Sequence, residues 1–242
     1  MKVRILGIGM GPHHITPEVS AALRSSDYVI AAEKSDSDGL LAVRRDIAAA
    51  HGLEVIAVPD PPRDRNDPSD YSAAVAAWHE ARVAAYAQVL RERAGTAAFL
   101  VWGDPSLYDS TIRIVEQLRE HLDLDYDVFP GISAPQLLAA RHRIVLHPVG
   151  QPVHITTARR LRDDIAAGQT NLAVMLTGTL DLTGLETWSI WWGANLGTDT
   201  EELVAGTVGA VRAEIEQARI RAKNAAGWVM DAYLLRAPAD PS

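Results

Sequence analysis

Short apolar runs alternate along the chain with longer stretches in which apolar residues recur every three or four positions. The short runs predict strands and the longer stretches predict amphipathic helices. Their regular succession is typical of a parallel sheet covered by helices. The predicted strands span residues 3–7, 28–32, 55–58, 97–102, 126–129, 153–156, 171–176, 187–192 and 228–234. The predicted helices span residues 16–25, 40–51, 71–93, 111–121, 135–143, 159–167 and 208–224.

This pattern predicts an α/β protein of two domains, with mostly parallel and mixed sheets. A length of 242 residues is enough for two small domains, and we place them at 1–146 and 147–242. Residues 59–70 are rich in Pro, Asp, Arg and Asn, which predicts an exposed loop. Arg82 falls on the apolar stripe of the helix 71–93. We expect its aliphatic stem to cover apolar surface while its charged head stays in water.

Composition narrows the classes of function. The chain has no cysteine, which excludes disulfides, thiolate zinc sites and iron–sulfur clusters. With 23 basic and 31 acidic residues the net charge is −8, which argues against a general binder of nucleic acid or anionic membranes. No apolar run of roughly 18 residues and no signal-peptide pattern occurs, so we predict a cytoplasmic protein.

Three glycine-containing segments follow predicted strands directly. They are residues 7–12 (Gly-Ile-Gly-Met-Gly-Pro), 102–108 (Trp-Gly-Asp-Pro-Ser-Leu-Tyr) and 130–134 (Pro-Gly-Ile-Ser-Ala). Parallel strands place their carboxyl ends at one edge of a sheet, so together these segments predict a ligand-binding rim. Pro12 stands where a dinucleotide fingerprint needs its third glycine, which disfavours a nicotinamide-dependent reductase. Asp104 is a candidate ligand for a ribose hydroxyl or an ammonium group, unless it only turns the chain.

Basic residues cluster in spite of the acidic total. Guanidinium groups bind carboxylates through paired hydrogen bonds, so these clusters suit an acidic substrate, although a solvated helix face explains any one of them. The histidines show no metal-binding spacing, and we predict no metal site. The basic positions are Arg63, Arg65, Arg141, His142, Arg143, Arg159, Arg160 and Arg162.

Four segments, in this order, resemble the tetrapyrrole (corrin and porphyrin) methylases: residues 7–16, 103–108, 130–134 and 195–207. Residues 99–111 and 191–198 look most like the members that methylate C-1 of precorrin-5 and release acetate in aerobic cobalamin synthesis. The resemblance implies S-adenosylmethionine as methyl donor, a polycarboxylate tetrapyrrole substrate, a cofactor cleft between two α/β domains, and a homodimer.

The resemblance also implies which residues form the site. It places the methyl donor at ten positions: Gly9, Pro12, Trp102, Gly103, Asp104, Leu107, Ser133, Ala134, Thr177 and Leu196. Asp104, Glu33 and His13 are, in this order, the candidates for a general base. The sequence departs from the family where Pro12 is followed by two histidines, and where Glu33 stands one position after an acid found in some relatives.

Other functions remain open at this stage. A methylase of the same superfamily that acts at another precorrin position, on RNA or on protein would share the rim. A tetrapyrrole-binding protein without activity would also share it, and would bind without turnover.

Overall fold

A computed structural model of the chain describes residues 1–33, 39–62 and 71–238. Contacts divide the chain into two compact units, Met1–Ile132 and Ser133–Ser242. Each contains one five-stranded sheet and helices. The predicted class of two α/β units is therefore confirmed, whereas the cleft implied by the resemblance stays a prediction.

The first unit has a fully parallel sheet in the order β3-β2-β4-β1-β5. Apolar clusters cover both faces, which a parallel sheet requires. The strands are β1 Lys2–Gly7, β2 Tyr28–Glu33, β3 Glu54–Pro59, β4 Thr96–Val101 and β5 Asp125–Phe129. The helices are α1 Pro17–Arg24, α2 Gly39–Ala50, α3 Tyr71–Glu92 and α4 Thr111–Arg119, and a short 3-10 turn spans Pro12–His14.

The second unit has a mixed sheet in the order β6-β7-β10-β8-β9, in which only β6 and β7 pair in parallel. The strands are β6 His154–Thr157, β7 Asn171–Met175, β8 Ser189–Ala194, β9 Glu202–Thr207 and β10 Asp231–Arg236. The helices are α5 Ala134–His142, α6 Leu161–Ala166 and α7 Val208–Ala226. Helix α5 contacts β8, β9 and β10, which groups it with this unit although the sequence suggested a division at residue 146.

Local sequence explains where α1 begins. The Thr16 hydroxyl accepts a hydrogen bond from the Val19 amide at 3.1 Å, and Pro17 occupies the first turn, so α1 starts where the sequence predicts.

Strand β9 was not predicted. It lies at the sheet edge with only Val204 buried, and it contains Gly206, so its sequence lacks the apolar–polar alternation that marks a strand. Among the described helices, none is long and apolar enough to cross a bilayer.

The expectation that the head of Arg82 stays in water is wrong. Its side chain is only 12% exposed, and Nε donates to Asp60 Oδ1 at 2.6 Å. The guanidinium also lies 4.0 Å from the ring centroid of Trp78, one helical turn away. Asp60 follows β3 and its amide donates to the carbonyl of Glu33, so a distant segment supplies the partner that the helix pattern could not reveal.

Because the Arg82–Asp60 pair is buried, removing Asp60 should cost more stability than removing Glu54, which lies at the start of β3 and forms an exposed pair. We expect Asp60→Ala to lower the free energy of unfolding by about 3–5 kcal/mol, because it leaves the Arg82 charge buried without its partner. Glu54→Ala is the matched control, because Glu54 pairs with Arg93 while 65% exposed and should cost about 0–1 kcal/mol. Urea unfolding measures both, and equal losses would contradict the prediction.

Candidate active site

Three backbone turns meet at the carboxyl edge of the first sheet, where β4, β1 and β5 are neighbours. Gly9 and Gly103 exchange two backbone hydrogen bonds, of 3.2 and 2.7 Å. A Cβ on Gly131 would stand 2.2 Å from the Gly103 carbonyl oxygen and 2.8 Å from the carbonyl carbon of Gly7. We call these four glycines, Gly7, Gly9, Gly103 and Gly131, the glycine edge. Its backbones touch directly, so side chains are excluded and a ligand can approach the main chain.

Asp104 braces this edge. Oδ2 accepts the Gly131 amide at 2.9 Å, and Oδ1 accepts both the amide and the hydroxyl of Ser106, at 2.9 and 2.5 Å. Partial burial is the largest single influence and raises the pKa of Asp104, but the three hydrogen bonds outweigh it and hold the pKa below its usual 3.8. An ionised carboxylate with these bonds is a weak proton acceptor, so the geometry favours a structural role over the predicted role as base.

The other two candidate bases, Glu33 and His13, take no part in the hydrogen bonds of Asp104. Glu33 ends β2, which β4 separates from β1, and its carboxylate pairs with Arg45 at 3.4 Å. His13 is exposed on the 3-10 turn that follows Gly11. An unprotonated imidazole nitrogen can accept a proton, whereas the Glu33 carboxylate already pairs with Arg45, so His13 is the better suited of the two.

Two of the predicted donor-binding side chains carry buried polar atoms with no hydrogen-bond partner among the residues that the structure describes. They are the Trp102 indole nitrogen Nε1, at the end of β4, and the Thr177 hydroxyl, just after β7. A buried polar group without a partner is costly, and a ligand that supplies the missing bond would remove the cost. One such atom lies at a predicted donor position in each unit, which favours ligand contact there.

The other residues that we predict to contact the methyl donor differ in their exposure to solvent. Pro12 is exposed and Leu107 half-buried in the first unit. Ser133 and Ala134 begin α5, where the amide and hydroxyl of Ser133 both donate to Gln136 Oε1 at 2.9 and 2.8 Å. Leu196 is buried directly after β8.

Asn195 shapes the turn that holds Leu196, and sequence reasoning assigned it no role. It is buried with φ of +49°, its Nδ2 donates to the Thr200 hydroxyl at 3.1 Å, and its Oδ1 accepts the Met230 amide at 2.9 Å. Asn tolerates this left-handed backbone better than most residues. An Asn at a strand end before Leu-Gly was the signal that could have revealed it.

Arg219 and Asp231 form a second network that was not predicted. Asp231 lies in β10 with its side chain inaccessible to solvent, and its Oδ2 accepts Trp192 Nε1 and Arg219 Nε, both at 3.1 Å. Burial, the largest influence, raises the pKa of Asp231 although both donors oppose the shift. The signal in the sequence was an Asp inside an otherwise apolar strand, since such a residue needs a buried partner.

The predicted basic clusters are partly neutralised within the second unit. Arg141 Nε binds both carboxylate oxygens of Glu201, Arg160 pairs with Asp164, and Arg162 pairs with Asp181. Arg63 and Arg65 lie outside the described residues. Within residues 1–33, 39–62 and 71–238, no group of three or more His, Asp or Glu side chains is arranged to hold a metal ion.

The low pKa of Asp104 predicts how Asp104→Asn alters acid stability. Because the native pKa lies below the unfolded value near 3.8, the carboxylate stabilises the folded state above that pH, and the contribution is lost as pH falls through the native pKa. We therefore expect wild type to exceed Asp104→Asn in unfolding free energy at about pH 7, and the difference to shrink at about pH 3. Urea titrations at both pH values test this. Exposed Asp123→Asn is the control, and a difference independent of pH would contradict the assignment.

Comparison with known proteins agrees with the resemblance seen in the sequence. Residues 2–212 match the family model for tetrapyrrole (corrin/porphyrin) methylases. A precorrin-6A synthase (deacetylating) from a Sinorhizobium species is 41% identical over 252 aligned residues, which cover 99% of this chain and 96% of that protein.

Solved structures agree as well. A cobalamin synthesis related protein (CobF) from Corynebacterium diphtheriae superposes with a TM-score of 0.84 at 38% identity and 98% coverage of both chains. A uroporphyrin-III C-methyltransferase from Thermus thermophilus, complexed with S-adenosylhomocysteine, shares the fold with a TM-score of 0.58 at 15% identity, covering 98% of this chain and 92% of that one. The glycine edge, the order of the motifs and these matches lead to one conclusion: this chain belongs to the tetrapyrrole methylase family.

Proposed function

We propose that this protein transfers a methyl group from S-adenosylmethionine to C-1 of precorrin-5, and that water adds to the acyl carbon of the C-20 substituent and releases it as acetate, which gives precorrin-6A. The near full-length identity of 41% to a precorrin-6A synthase carries the proposal. The resemblance of residues 99–111 and 191–198 to the same members of the family supports it.

The described residues fit the proposed donor. S-adenosylmethionine presents adenine nitrogens, ribose hydroxyls and a carboxylate, all of which can accept hydrogen bonds. The unpartnered Trp102 Nε1 can donate one such bond, and the unpartnered Thr177 hydroxyl can donate or accept. When bound, the donor supplies a methyl group on a sulfonium sulfur and leaves as a neutral thioether.

The chain contributes mainly by holding its ligands in place. Methyl transfer between two bound partners depends on alignment, which a rigid site supplies better than a strong acid or base does. Asp104 keeps the glycine edge closed through the Gly131 amide. We assign proton transfer to His13 ahead of Glu33, because Glu33 is paired with Arg45 and the Asp104 carboxylate already accepts three hydrogen bonds.

Exposed arginines suit a substrate with many carboxylates. A guanidinium carries five N–H donors, and Arg141 uses only its Nε on Glu201, so it retains donors for a second acceptor. Arg143 is exposed at the end of α5. A homodimer, a cytoplasmic location and the absence of nucleic-acid and membrane partners stay predictions from the resemblance and the composition.

Titration calorimetry with S-adenosylhomocysteine tests the donor site, with NADP as the control nucleotide. We expect stoichiometric binding of the first and no heat from the second, because the first turn lacks the dinucleotide fingerprint. Incubation with S-adenosylmethionine and precorrin-5 should then release equal amounts of acetate and S-adenosylhomocysteine.

Each other outcome contradicts a separate part of the proposal. Binding of NADP alone would support a reductase. Binding of precorrin-5 without turnover would indicate a tetrapyrrole-binding protein. Methylation of another precorrin in preference to precorrin-5 would retain the family and overturn the assigned substrate.

Thr177→Val tests whether the unpartnered hydroxyl contacts the donor. The two side chains are nearly equal in shape, so we expect Kd for S-adenosylhomocysteine to rise about 3- to 10-fold through the lost hydrogen bond, with stability retained. Thr187→Val, at an exposed position of the same unit, is the control. An unchanged Kd for Thr177→Val would remove Thr177 from the donor site.

A further inference from the structure

A single arginine side chain, Arg219, fixes the backbone of the loop that follows β7. Arg219, on α7, donates from Nη2 to the carbonyl oxygens of Thr177 and Gly178, at 3.0 and 2.9 Å. These contacts join residues about 40 positions apart in the chain. They fix two consecutive peptide groups and therefore restrict the directions in which Thr177 can point.

The guanidinium is itself fixed by a buried acceptor. Asp231 Oδ2 binds Arg219 Nε and Trp192 Nε1, and Trp192 is among the largest fully buried side chains of the described chain. Asp231 is inaccessible and Arg219 is 25% exposed, so water competes little for this pair. The network thus joins β8, β10 and α7 to the loop through one planar group, which a lysine could not reproduce.

The loop has a conformation that needs such support. Leu176 leaves β7 with φ of +55°, in the left-handed region that bulky residues rarely adopt, and its side chain stays largely exposed. Thr177 then turns inward, where its hydroxyl is buried without a partner within the described residues. Strained backbone beside an unsatisfied polar atom is common at ligand sites, where the surrounding structure keeps it in place.

We propose that Arg219 is a positioning residue for methyl-donor binding, held by Asp231 and Trp192, and that it acts by fixing the backbone of Thr177 and Gly178. This inference rests on the proposed function, because it takes S-adenosylmethionine as the ligand of the Thr177 hydroxyl. The proposed action of Arg219 is through the chain itself, since its Nε and Nη2 donate to one carboxylate and two carbonyls of the protein.

The experiment measures donor affinity and steady-state kinetics for Arg219→Gln and Arg219→Lys. We expect Kd for S-adenosylhomocysteine and KM for S-adenosylmethionine to rise at least 10-fold in Arg219→Gln, with kcat within about 3-fold of wild type. The Kd and KM of Arg219→Lys should lie between those of wild type and Arg219→Gln. Arg221→Gln is the matched control, because Arg221 lies two positions further along α7, is exposed and pairs with Glu202, so the Kd of this variant should equal that of wild type.

A double variant separates positioning from general stabilisation. If Arg219 acts through Thr177, adding Arg219→Gln to Thr177→Val should weaken donor binding by less than it does in wild type. If the fold-change in Kd of the double variant equals the product of the two single fold-changes, Arg219 does not act through Thr177. Folded Arg219→Gln protein with wild-type Kd would overturn the proposal itself, even if its melting temperature falls.

Asp231→Asn is the second variant if Arg219→Gln does not fold. The Asn side chain keeps the shape of Asp and an acceptor oxygen for Trp192 and Arg219, and Arg219 is partly exposed, so the fold should tolerate the change better than a truncation, while the hold on Arg219 weakens. We expect a rise in Kd of at least 3-fold, and an unchanged Kd would overturn the proposal. Failure of wild type to bind S-adenosylhomocysteine would instead refute the proposed function, which keeps the two failures distinct.

Discussion

Direct contact between main chains at the glycine edge is the constraint on which the first unit depends. The turns after β1, β4 and β5 approach so closely that a single methyl group on Gly131 would collide with the carbonyl of Gly103. Such contact requires strands in fixed register, because a shift of one residue would bring a side chain into the gap. The parallel sheet therefore supports the site geometry as well as the core, and Asp104 supplies the one carboxylate that ties two of the turns together.

The second unit shapes its loops by a different physical means. Its turns are held by side chains: Asn195 ties its turn to the backbone of Ala222 and Met230, and Arg219 bonds two carbonyls after β7. Both residues are buried or partly buried, where hydrogen bonds are stronger and unpaired groups are more costly. Backbone packing tolerates almost no substitution, whereas a side-chain network can be altered one bond at a time.

The sequence predicted what depends on local chemistry. Apolar runs located most strands, and the glycines located the turns at their carboxyl ends, because strand periodicity and turn preference act over a few residues. Strand β9 escaped because an edge strand with one buried residue carries no alternation. The Arg82–Asp60 and Arg219–Asp231 pairs escaped because each partner belongs to another element, so no local spacing records the contact. For Asp104 the position could be predicted, but the three hydrogen bonds that make it a weak base depend on the folded turns.

The central place of β1 in its sheet affects how the chain folds during synthesis. Lys2 is in register with both Thr96 and Asp125, and the first amino group donates to the carbonyl of Asp123. Strand β1 therefore leaves the ribosome before either of its sheet neighbours, and it stays unpaired until β4 emerges on one side and β5 on the other. Long-range parallel pairing of this kind is slow, and the waiting strand is open to aggregation. Sheet order thus leaves the edges of β1 unpaired during synthesis until the residues up to Phe129 are made.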